Sequence, residues 1–113
     1  MRFIPSLTCA ALGGALLISG AAAAETVSAN WQKHCVTCHG VDGKGKTKMG
    51  QRLKITDLSD AARQAEFTDA DAVSAVKDGK TDPSGKTTMK AIEGLSDAEI
   101  AELVAFVRTL AKP

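Results

Sequence analysis

The chain has 113 residues, with 14 basic against 13 acidic side chains and a formal net charge of +1. That length admits one domain, and so even a balance gives no bulk charge with which to recruit nucleic acid. Aromatic residues make up only 4% of the chain and tyrosine is absent, so a core built from side chains alone is undersized for a domain of this length.

The N-terminal stretch "MRFIPSLTCAALGGALLISGAAAAE" carries one positive charge, at Arg2, and no further charge until Glu25. Its apolar heart, roughly residues 7–18, is as long as a secretory signal's hydrophobic region and short for a membrane-spanning helix. Ala22, Ala23 and Ala24 are the small residues a signal peptidase accepts, so residues 1–24 are predicted to be a cleaved signal peptide. Pro5, Gly13, Gly14 and Gly20 weaken the competing reading, an uncleaved membrane anchor. Cys9 leaves with the signal, and no stable anchor is expected on the remaining domain, residues 25–113. Losing Arg2 makes basic and acidic residues equal in number. Export to the periplasm, or another oxidising compartment, permits oxidised thiols.

Helices joined by long loops are predicted for that domain. A first helix spans about Thr26 to Cys38, with Val27, Trp31, Cys35 and Cys38 on one face. "GVDGKGKTKMG", Gly40 to Gly50, has no period and reads as a loop. A short helical turn follows in "SDAARQAE", with Ser59 as its N-cap. Thr68 caps the next helix with Asp71 as its partner, and Gly79 ends it. A second loop runs from Lys80 to Gly94, marked by Pro83 and Gly85. The last helix opens on the Ser96/Glu99 capping box, with Leu95 and Ile100 placed for a hydrophobic staple. Ile100, Leu103, Val104, Val107 and Leu110 form its apolar stripe, with Phe106 beside it. No segment alternates for long enough to predict more than a trace of sheet.

The chemistry concentrates in Cys35-Val36-Thr37-Cys38-His39. On a helix these thiols are i and i+3, and His39 is i+4 from Cys35, so all three lie on one side. Two thiols so placed can add to the two vinyl groups on one porphyrin edge, with the adjacent imidazole held under the iron. A structural zinc ion needs four ligands, usually from two separated pairs, and this chain offers only His34 beside the cluster. A thiol–disulfide enzyme would place its cysteines at the end of a strand in a βαβ unit, for which there is no pattern. A plain disulfide over so short a loop stabilises little.

With "CVTCHG", "DGKG", "TDADAVSAVKDGK", Met89 and "LSDAEIAELVAFVRTL" in this order, the chain resembles a small class I cytochrome c from Thr26 to Leu110. The resemblance implies an all-α fold of three to five helices around one covalently attached haem c, its first and last helices crossing beside the haem crevice. It also implies an electron carrier rather than an enzyme, with His39 and a methionine as axial ligands. Met89, about fifty residues after His39 on an irregular segment, suits the sixth position, where a thioether raises the potential and closes the iron to substrate. Met49 is its rival, since the spacer after His39 could reach roughly 30 Å if extended. Apolar packing is the plain role for any methionine.

Two departures from the family's pattern stand out. Met89 precedes Lys90 rather than proline, and no proline lies between His39 and Pro83. A carbonyl within Arg52–Ile55 is then expected to accept the second proton of the His39 imidazole. Arg63 stands where relatives often carry an aromatic, and His34 is expected to be a solvated surface residue. Lys33, Lys86 and Lys90 either are solvated loop charges or rim the haem edge and steer an acidic redox partner. The expected function is a soluble periplasmic monohaem carrier. Its alternatives are a five-coordinate haem protein acting on peroxide or binding a gas, and a dedicated haem subunit of a larger redox complex.

Overall fold

The computed structural model describes residues 13–14 and 26–113. The predicted signal peptide and its cleavage point therefore lie almost wholly outside the described residues. Among those described, no helix is long and apolar enough to cross a membrane.

Thr26 opens α1 (Val27–His34), its hydroxyl accepting from the Ala29 amide at 3.2 Å. The single helix expected to run through Cys38 is interrupted. Cys35, at φ −117° and ψ −36°, ends α1 and precedes the one-turn α2 (Val36–His39). A glycine-rich loop then folds back onto α2. Thr47 donates its hydroxyl to the Cys38 carbonyl at 2.8 Å, and the Gly45 amide donates to the His39 carbonyl at 2.8 Å.

Part of the expected loop is helical, forming α3 (Lys48–Leu53) with Thr47 as N-cap. Gly50, which reads as a loop residue in the sequence, is a packing residue of this helix. A Cβ there would collide with the carbonyl oxygens of Gly45 and Cys38, so only glycine lets α3 lie this close to α2. The cap of α4 (Ala61–Gln64) is Asp60 rather than Ser59, because Ser59 is buried and gives both its amide and its hydroxyl to Asp57.

Thr68 and Asp71 form the expected capping box of α5 (Asp69–Asp78), and Gly79 ends it at φ 75°. The predicted second loop contains a small antiparallel hairpin, β1 (Lys80–Thr81) and β2 (Thr87–Met89). Ser96 and Glu99 cap α6 (Asp97–Thr109) reciprocally, as their spacing predicts. The six helical segments among the described residues exceed the three to five expected because the first helix breaks at Cys35 and α3 emerges from the loop. The fold is otherwise the predicted one, mostly helical with little strand.

Trp31 from α1 and Ile100, Leu103 and Val104 from α6 are the buried apolar side chains among the described residues. Trp31 and Phe106 pack at 5.2 Å between ring centroids, and Asn30 donates to Glu99 at 3.0 Å across the same helix pair. Arg108 ties α6 to the segment around α4 and α5. It donates to the carbonyls of Gln64 and Phe67 at 2.7 and 2.8 Å, pairs with Asp69 at 2.8 Å and lies 4.5 Å over the Phe67 ring. Arg63, by contrast, is exposed and pairs with Glu66 at 3.2 Å.

Candidate haem site

A core this small leaves a cavity of about 760 Å³ inside the fold, within the range of roughly 300–1,000 Å³ typical of small-molecule and cofactor sites. The α1–α2 corner contributes Trp31, His34, Cys35, Cys38 and His39 to its wall. Met49 and Leu53 enter from α3, and Ala72, Ala75 and Val76 from α5. The hairpin supplies Thr87, Thr88 and Met89, while α6 adds Leu103, Val104 and Val107. Leu103 and Val104 of the α6 stripe are thus buried and also border this space, and Val107 borders it too.

All four site residues expected from the sequence border this one cavity. Cys35 and Cys38 are free, half-buried thiols, despite the interruption between their helices. Burial, reinforced by neighbouring Cys38, pushes the Cys35 thiol up to about 11, so it is protonated at neutral pH. His39 is half-buried, and burial lowers its pKa, which favours the neutral imidazole that metals bind. Its Nδ1 is buried with no hydrogen-bond partner, as is Nε1 of Trp31, whose ring centroid lies 6.0 Å away. The carbonyl expected from Arg52–Ile55 is therefore not hydrogen-bonded to His39. Within that segment Lys54 adopts the left-handed conformation at φ 53°, which ends α3.

Both methionines border the cavity. Met89 is half-buried on β2, whereas Met49 is 38% exposed on α3. His34 is not the solvated residue expected. It is half-buried and borders the cavity as well as a shallow depression shared with Lys90, Ala91, Ile92 and Glu93. Lys90 also borders the cavity, while Lys33 and Lys86 are exposed. The sequence reading missed Gly50 and Gly79 as residues that shape the site, since both read only as breakers.

A haem fits these residues. Two free thiols and a neutral imidazole lacking a protein partner at Nδ1 converge on a largely apolar void. A buried polar nitrogen without a partner is costly in a finished core. Among the described residues no group of three or more His, Cys, Asp or Glu side chains could hold a bare metal ion.

The cytochrome c family model matches residues 24–111, and the chain belongs to that family. Among solved structures it is similar to the KustC0563 c-type cytochrome, at 31% identity and a TM-score of 0.65, over 78% of this chain and 100% of that one. A tyrosine-to-phenylalanine mutant of Kustc0563 is similar at 31% identity and a TM-score of 0.61, over 74% of this chain and 96% of that one. No curated protein matches the chain. The protein is a small c-type cytochrome, a haem electron carrier with covalently attached haem c.

Proposed function

We propose that the protein is an exported single-haem carrier in which Cys35 and Cys38 form the thioether bonds while His39 and Met89 hold the iron. The observation that carries this reading is the meeting of all four side chains at one cavity. A haem bound there supplies a one-electron couple. The neutral imidazole of His39 would offer a ring nitrogen to the metal, and the Met89 thioether would be its second protein ligand. With both positions taken, no coordination site is left for a substrate, which distinguishes a carrier from a haem enzyme. Apolar side chains of α5 and α6 keep water from the crevice, so little solvent rearranges when charge moves. Lys90 at the cavity wall, with Lys33 and Lys86 on the surface, forms a basic rim suited to an acidic redox partner. Export is supported by the N-terminal charge and hydropathy pattern, and by a family match that begins at residue 24, next to the expected cleavage point.

Paired substitutions test the sixth ligand. Met89→Ala should abolish the methionine–iron absorption band of the oxidised protein, lower the potential and create reactivity toward peroxide. Met49→Ala should retain the band and, since Met49 is 38% exposed, cost at most about 2 kcal/mol of stability. The reverse pattern would transfer the ligand role to Met49. No change in either variant would leave the iron open or ligated by histidine, and would favour an enzymatic or gas-binding haem protein.

A further inference from the structure

Met89 lies on a strand of three residues, too short to fix its own register, so something outside β2 must determine which way the thioether points. The pairing is irregular. Lys80 opposes Met89 and Thr81 opposes Thr87, which leaves Thr88 as an extra residue on β2. A bulge of this kind re-aims the side chains beside it, and a slip by one residue would turn Met89 to the other face.

Downstream, the strand is anchored by the Ile92 amide donating to the Val76 carbonyl at 2.8 Å. Gly79 fits against the same segment, where a Cβ would come within 2.6 Å of the Met89 carbonyl oxygen. Upstream, the anchor is the turn joining β1 to β2. There Asp82 Oδ1 accepts from the Ser84 amide at 2.9 Å, from the Ser84 hydroxyl and from the Lys86 amide at 3.0 Å. Its own amide donates to the Lys86 carbonyl at 2.9 Å, and its carbonyl accepts from Gly85 at 2.9 Å. One side chain thus closes the turn from Asp82 to Lys86 immediately before β2 begins.

We propose that Asp82 is a positioning residue for the axial ligand, clamping the hairpin turn so that the bulged strand presents Met89 to the haem iron. This rests on the assignment of Met89 as the sixth ligand. Asp82 itself does not border the cavity, so its effect reaches the iron only through the register of β2. The Ser84 hydroxyl and then the Lys86 amide hold its carboxyl below the ordinary carboxylate range, so the clamp is ionised at neutral pH.

The test measures how easily imidazole displaces the ligand in the oxidised holoprotein. Asp82→Ala should bind imidazole at least about tenfold more tightly than the parent, or about 1.4 kcal/mol, and weaken the methionine–iron band. Asp82→Asn, which keeps an acceptor oxygen in place, should remain within about twofold of the parent. The denaturant midpoint of the helices should hardly move in either variant. Unchanged imidazole affinity in Asp82→Ala would overturn the inference while leaving the Met89 assignment intact. So would an Asp82→Asn variant that behaves like the alanine one, or a denaturant midpoint that falls in step with ligand lability. A parent protein with no methionine–iron band would overturn the ligand assignment and this inference together.

Discussion

Gln64 shows how a polar side chain can act as a core residue in a chain short of aromatics. It is 5% exposed, and its Nε2 donates to the carbonyls of Leu58 and Val107 at 2.6 and 2.7 Å, stitching the segment before α4 to α6. Leu58 and Val107 both border the haem cavity, whereas Gln64 does not. Gln64→Leu preserves approximate bulk but leaves two carbonyls without their donor, and should lower the unfolding free energy of the holoprotein by about 2–4 kcal/mol. Denaturant titration measures that loss, and the haem spectrum of the folded variant should match the parent. His39 presents the opposite case at the same scale. Its Nδ1 is buried without a protein partner, although a carbonyl of residues 52–55 was expected to accept from it.

The two helices that open on a capping box were legible. Thr68 with Asp71 and Ser96 with Glu99 announce α5 and α6, and both capping boxes form. Two elements were hidden for different physical reasons. In α3, Gly50 is required by close approach to α2 rather than by a turn, and no local pattern distinguishes those causes. In the hairpin, strands of two and three residues are too short to show alternation, and their register depends on Asp82 and on contacts after Met89. The site residues were easier to find than the backbone that aims them, because C-x-x-C-H carries its chemistry in residue types alone. The same helix ends give a pH prediction. Asp71 is held below its ordinary 3.8 chiefly by the Thr68 amide, and Asp97 below 3.8 by the Lys77 ammonium. Glu99 is held below its ordinary 4.5 first by the Asn30 amide and then by the Ser96 amide. A depressed carboxylate contributes fully above its unfolded value, and that stabilisation is lost as the pH falls through the folded value. Through these carboxylates the thermal midpoint of the holoprotein should therefore fall as the pH drops below about 4. A midpoint that holds or rises on acidification would show that these caps contribute nothing.

Across the whole molecule, the deficit of apolar bulk and the cavity are one feature. Trp31, Ile100, Leu103 and Val104 join α1 to α6, and the remaining apolar faces of α5, α6 and the hairpin turn toward a void of about 760 Å³. A covalently held haem completes that core, so folding and cofactor attachment support one another in a domain otherwise near the lower limit of self-sufficiency. The proposed closed carrier needs both axial positions filled from within the chain, and His39 at the α1–α2 corner and Met89 on β2 are the residues proposed to fill them. The most direct measurement is the absorption spectrum of the purified, oxidised holoprotein, recorded with and without peroxide. A low-spin spectrum with a methionine–iron band at the red end, unchanged by peroxide, is the expected result. A high-spin spectrum without that band, with turnover of peroxide, would contradict the closed six-coordinate carrier.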